Sequence, residues 1–254
     1  MEVRPGFCIV TENRKEKKMD KVLHRAATRG HADHGWLDTY HTFSFADYYD
    51  PKRIHFGALR VLNDDTVAPG EGFGTHPHAN MEIVSIPLSG ALRHRDSMGY
   101  VQELRPGGIQ VMSAGTGITH SEFNASDTEP VKFLQIWVLP DARGHRPRYD
   151  QLTLAPAVRN ELRPIVAPEG FGNEHVGRIH QRAWVHTLDL DAGRGADYRL
   201  RLFGDGVYLF VLEGCVETAG ETLSRRDGLG ICGAGELRID AAADASVLLI
   251  EVPM

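Results

Sequence analysis

No stretch of this chain carries the long three-and-four spacing of apolar residues that an amphipathic helix needs. Short β-prone runs alternate with turn clusters instead. Residues 56–62 form one run, ended by Asn63-Asp64-Asp65, and residues 81–88 another, ended by Ser89-Gly90. Arg105-Pro106-Gly107-Gly108 precedes the run at 109–112, Ala114-Gly115-Thr116-Gly117 precedes 118–123, and the run at 131–139 closes at Pro140. Strands at this spacing predict an all-β sandwich or barrel.

Residues 140–170 hold Pro140, Pro147, Pro156, Pro164 and Pro168 among many charges, which reads as a connection between domains. Beyond it the β pattern resumes at 198–202, 207–212, Ile231, 236–239 and 246–252. Two β domains of similar size are therefore expected, over 20–145 and 146–254, behind an extension at 1–19 expected to be poorly ordered. Met19 stands as an alternative start, because patterned sequence begins just after it. A chain of 254 residues can bury a core without disulfides. Cys8, Cys215 and Cys232 are odd in number and form no CxxC pair, which fits a reduced, cytoplasmic protein. The short apolar run at 7–10 lies ahead of the charges at 14–18, unlike a secretion signal, and no run approaches a membrane span. The net charge of -6 argues against direct nucleic-acid binding.

The chemistry lies in two short patterns. His76-Pro77-His78 places two imidazoles at i and i+2, and His120-Ser121-Glu122 repeats that spacing with an imidazole and a carboxylate. Alternate residues of a strand share a face, so on neighbouring inward-facing strands these four side chains converge. Three His and one Glu suit a divalent transition metal of borderline softness; Fe(II), Ni, Co, Cu, Mn and Zn all fit such donors. Four protein ligands in an octahedral sphere leave two positions open, whereas a closed structural zinc site leaves none.

The surroundings sharpen this. Gly70-x5-His76-x-His78-x3-Glu82 and Gly117-x2-His120-x3-Asn124 resemble the two metal-binding motifs of the cupin superfamily, with Gly115 standing where proline is usual. Residues 41–49 (HTFSFADYY), 72–78 (GFGTHPH), 112–118 (MSAGTGI) and 135–137 (QIW) resemble the bacterial pirin family, strongly over 20–150 and more loosely beyond. That resemblance implies a bicupin of two jelly-roll barrels, with a metal in the first and none in the second. It implies His76, His78, His120 and Glu122 as ligands, Fe(II) as the first expectation among the metals, and Glu82 outside the ligand set. Several pirins resemble quercetin 2,3-dioxygenases, which implies O2-dependent cleavage of a flavonol or similar small phenol with release of carbon monoxide. Glu122 would then be the catalytic base. The same resemblance implies an alternative, a non-enzymatic metal- or redox-dependent regulator that binds a protein partner such as a transcription factor or metabolic enzyme. Another cupin chemistry, such as sugar isomerisation, is a third reading. A monomer is the default expectation.

Other features read more plainly. The histidines of His31-Ala32-Asp33-His34 and His41 are expected to serve turns and packing in a loop-like segment, with a place near the pocket as the alternative for His41. Phe43, Phe45, Tyr48 and Tyr49 are expected to pack that segment onto the barrel, with a flavonol-stacking wall as the alternative. His175, His180 and His186 are single, so no second metal site is expected. Glu169-Gly170-Phe171-Gly172 echoes Glu71-Gly72-Phe73-Gly74 without the paired histidines and is read as coincidence. No Gly-x-Ser-x-Gly elbow, phosphate loop or dinucleotide fingerprint occurs.

Overall fold

The structure is a computed structural model that describes residues 19–202 and 204–254. The expected extension, apart from Met19, and Cys8 lie outside the described residues. The chain is all-β, and among the described residues the one helical turn is the 3-10 segment Ala26–Thr28. The strands of the first half are β1 (Asp20–His24), β2 (Gly30–Asp33), β3 (Leu37–His41), β4 (Leu59–Val67), β5 (Gly72–His78), β6 (Glu82–Ser89), β7 (Leu92–Asp96), β8 (Val101–Leu104), β9 (Gly108–Ser113), β10 (Ile118–Asn124) and β11 (Val131–Val138). Those of the second are β12 (Arg148–Thr153), β13 (Leu162–Pro168), β14 (Gly177–Ile179), β15 (Trp184–Leu190), β16 (Gly195–Arg199), β17 (Asp205–Glu213), β18 (Cys215–Thr218), β19 (Glu221–Ser224), β20 (Gly228–Cys232), β21 (Glu236–Ala241) and β22 (Ala245–Pro253).

Two jelly-roll barrels result, each a large sheet facing a small one. The first has the order β12-β9-β6-β11-β4-β3-β2 opposite β5-β10-β7-β8. The second has β1-β20-β17-β22-β15-β13-β14 opposite β16-β21-β18-β19. Each half lends an edge strand to the other, across the boundaries expected at 20 and 145. β1 pairs with β20, and β12 pairs with β9. The proline-rich stretch is thus not only a connection, since it contains β12 and β13. The segment around His31–His41 is a hairpin, β2–β3, rather than a loop. Its pairing with β4 along Leu37↔Val67 to His41↔Asn63 outweighs its local turn-like composition.

The large sheets pack against each other through a shared apolar core. In β17, Tyr208, Phe210 and Leu212 point into that interface while Val207, Leu209 and Val211 point into the second barrel. Both faces are covered, which is why this strand reads as an unbroken apolar run. In the first barrel, Leu134 and Ile136 of β11 join the interface, so Phe133, Gln135 and Trp137 turn toward the barrel interior. Polar groups also bridge the halves: Asp64 pairs with both Arg29 and Arg226.

Candidate metal centre

β5 and β10 are hydrogen-bonded neighbours in the small sheet of the first barrel, with His76 opposite His120 and His78 opposite Ile118. β5 is an edge strand, where Pro77 is tolerated. The register slips between His120 and Glu122, so that Glu122 lies opposite Phe73. Gly72 permits this close pairing, because a Cβ there would meet the Glu122 carbonyl oxygen at 2.3 Å. Gly115, in the turn ahead of β10, has φ 50°, a conformation closed to the proline usual at that motif position.

Three imidazoles converge as a result. Ring centroids lie 4.5 Å apart for His76–His120 and 4.8 Å for both His76–His78 and His78–His120. Their ligand nitrogens lie within 4.8 Å of one another. Burial, reinforced by the neighbouring imidazoles, lowers His78 to about 4 and His120 to about 3, so both rings are neutral at pH 7. His76 Nδ1 donates to the Gly74 carbonyl at 2.7 Å, which leaves its Nε2 lone pair free. His120 Nε2 is buried with no hydrogen-bond partner. An orphaned nitrogen beside two other imidazoles is what a metal ion would satisfy, and the donor set suits a borderline divalent ion.

Glu122 is buried, but its carboxylate is grouped with His120 and His94 rather than with His76 and His78. Two amides from the large sheet donate to it, Gln135 Nε2 at 2.8 Å and Gln110 Nε2 at 3.1 Å, and Ser85 Oγ stands at 3.3 Å with its closer contact, 2.9 Å, to Gln135 Oε1. Behind His120 stands a buried pair that the sequence reading missed. Asp96 Oδ1 accepts the backbone N–H groups of Met98 and Tyr100, and Oδ2 lies 3.0 Å from His94 Nε2. An acceptor-only carboxylate makes His94 Nε2 the donor, so His94 Nδ1 is left to accept from His120 Nδ1, 3.5 Å away. That orients the His120 lone pair at Nε2 toward the other two histidines. His94-Arg95-Asp96 has the same i, i+2 spacing as the two flagged pairs, and that was its legible signal.

The remaining candidates fall elsewhere. Glu82 is buried at the start of β6, accepts from Ser113 Oγ at 2.6 Å, and joins neither group of ligand atoms. His34 and His41 line the cavity in front of the imidazoles, so His41 serves the pocket and not only packing. The aromatic segment divides: Phe43 enters the interface core, Phe45 lines the cavity against Trp137, Tyr48 stacks on His41 at 6.3 Å, and Tyr49 is exposed. His180 stacks on His145, His186 is buried beside Arg201, and His175 approaches the Thr153 carbonyl. The cavity at the imidazoles measures about 170 Å³. A larger cleft of about 690 Å³, lined by Arg146, Arg148 and His180 among others, contains none of the three clustered histidines.

Two family models match the chain: Pirin over residues 22–138, and Quercetinase C-terminal cupin domain over residues 165–252. The chain is 41% identical to the quercetin 2,3-dioxygenase of Escherichia coli strain K12, across 91% of this chain and 98% of that protein. It is 39% identical to a pirin-like protein of Caulobacter vibrioides, across 87% of this chain and 95% of that one. Its fold matches the crystal structure of the bacterial pirin YhhW of Escherichia coli in complex with nickel(II), with a TM-score of 0.86 and 40% identity, across 92% of this chain and 99% of that one.

Proposed function

The chain belongs to the pirin family, and from that premise we propose that its first barrel is a mononuclear metal site that cleaves flavonols such as quercetin with O2 and releases carbon monoxide. His76, His78, His120 and Glu122 would hold one divalent transition metal. The observation that carries this is the convergence of three imidazoles around an unpartnered, buried His120 Nε2. The nickel(II) complex of a relative 40% identical supports a divalent ion and leaves iron as one candidate among several.

When bound, the metal would position substrate and O2 and ease loss of the substrate's hydroxyl proton. The protein's own groups do the rest. Gly74 and His94 fix two imidazoles by hydrogen bonds to their Nδ1 atoms. Glu122, oriented by Gln110, Gln135 and Ser85, is the proposed base for the flavonol 3-hydroxyl. Trp137 packs edge-on to His78 at 4.9 Å and gives the cavity an apolar wall. A cavity of about 170 Å³ is smaller than the roughly 300–1,000 Å³ usual for whole organic ligands, so part of a bound flavonol would remain at the mouth.

The test is O2 uptake and carbon monoxide release with quercetin on metal-loaded protein, wild type against Glu122→Gln. Flavonol-dependent uptake that the variant loses supports the proposal. A metal-loaded wild type that consumes no O2 with any flavonol contradicts it.

A further inference from the structure

Opposite the imidazoles, the same cavity has a second polar wall. β3 and β4 place Thr39 against Asp65 and His41 against Asn63 in direct register. All four residues line the cavity. Each pair is joined by its side chains: Thr39 Oγ1 donates to Asp65 Oδ1, and His41 Nδ1 lies 3.0 Å from Asn63 Oδ1. Asp65 is 4% exposed. Arg29 and Arg226 pair instead with Asp64, whose side chain leaves the opposite face of β4. Across the sheet, β11 offers Asp65 only the ring of Phe133. Burial accordingly raises the Asp65 carboxyl to about 7. A carboxylate has about four acceptor sites, and Thr39 fills one. Trp137 lines the same cavity, and its indole N–H is buried with no partner.

A wall of this kind discriminates. An apolar ring edge would leave the carboxylate and the indole unpaired. A ligand carboxylate would face Asp65 and be repelled. A phenolic hydroxyl suits both groups, because it donates and accepts. Glu122 does not serve this end of a ligand, because as the proposed base it stands at the imidazoles and the reacting hydroxyl.

We propose that Asp65 is a specificity-determining residue that accepts a hydrogen bond from a second hydroxyl of the ligand, remote from the one at the imidazoles. The site then selects polyhydroxylated flavonols over those with a single hydroxyl. This rests on the flavonol reading above and adds a substrate requirement to it.

Anaerobic titration of the metal-loaded full chain, followed by tryptophan fluorescence, compares quercetin with 3-hydroxyflavone and needs no turnover. At about pH 8, above the raised Asp65 value, the wild type is expected to bind quercetin about tenfold or more tightly, the ratio that one charge-assisted hydrogen bond provides. Asp65→Asn should bring that ratio close to one by weakening quercetin alone. Equal affinities in the wild type, or equal weakening of both ligands in the variant, overturn the inference and leave the metal-dioxygenase reading standing. If neither flavonol binds the metal-loaded wild type, the flavonol reading itself falls and the inference with it. Should Asp65→Asn fail to fold, the wild-type ratio decides. Thr39→Val, which spares the carboxylate, must then retain the preference for quercetin, and its loss there also overturns the inference.

Discussion

The two barrels share the order of their central strands, with different outer strands, and differ in what fills them. The second is filled mainly by apolar side chains: Leu209, Leu229, Val247 and Leu249 of its large sheet meet Tyr198, Leu237 and Ile239 of its small one in a continuous apolar cluster, beside buried His186 and Glu251. In the first, the small sheet carries His76, His78, His120 and Glu122, and the large sheet answers with Ser85, Gln110, Gln135, Asn63 and Asp65. β16 and β21 occupy the places of β5 and β10, and their register sets Tyr198 opposite Leu237 and Ala196 opposite Ile239, where the first barrel sets His76 opposite His120. The same scaffold therefore serves as a packed core in one copy and a lined cavity in the other. Buried polar groups are costly unless satisfied, so the first barrel must hold its polar lining in a connected hydrogen-bond network.

That contrast can be broken most forcefully at His120. His120→Ala should reduce metal content from about one equivalent to none, while the second barrel still folds. Metal analysis together with circular dichroism reads both, and retained metal would mean that the three imidazoles are not the binding site. The complementary lesion is Leu249→Ala, which should cost about 2–5 kcal/mol by cavity formation and leave metal stoichiometry unchanged. Urea unfolding measures it, and a loss below about 1 kcal/mol would contradict close packing of that apolar cluster. Asp96→Asn sharpens the contrast further. With the acceptor behind His94 weakened, metal affinity should fall about 10–100-fold with little change in stability. Competition with a chelator checks this, and an unchanged affinity would separate the Asp96–His94 pair from the metal site.

The smallest expected effect concerns pH. His78 and His120 titrate well below their ordinary 6.5 in the fold, at about 4 and 3, chiefly through burial. Between pH 6.5 and 4 the unfolded chain takes up protons that the folded chain refuses. The contribution of these two rings to the stability of the metal-free protein should thus be full above about pH 6.5 and decline as pH falls through that window, while the raised Asp65 carboxyl contributes with the opposite sign. His186, lowered to about 3 within the second barrel, adds to the same slope. Removing the two cavity imidazoles should flatten the slope without abolishing it. Thermal unfolding midpoints across pH 4–7 decide, and an unaltered slope would contradict neutral, buried imidazoles in the first barrel.

The sequence made legible what is local. Strand alternation alone puts His76 with His78, and His120 with Glu122, and the turn clusters separate the strands that carry them. Partnership between distant strands was not legible. Nothing in residues 20–24 or 148–153 announces that each strand joins the other barrel's sheet. β3 hid among Gly, Asp and Trp because β4 completes it, and with it went the placement of His41 and Thr39 on the cavity wall. Ser85, Gln110 and Gln135 carry no motif; they matter because the barrel brings their side chains to one carboxylate. Asp65 ended a run read as a turn, and only its burial opposite Thr39 distinguishes it from its neighbour Asp64.

Metal analysis of protein purified without a metal-affinity step, for the wild type and His76→Ala, is the most direct measurement of the first barrel as a metal site. About one equivalent of a divalent transition metal per wild-type chain is expected, lost in the variant without loss of the fold. A wild type that takes up no metal even after reconstitution would mean that its three converging imidazoles are only a polar core, and that the two barrels differ in packing alone.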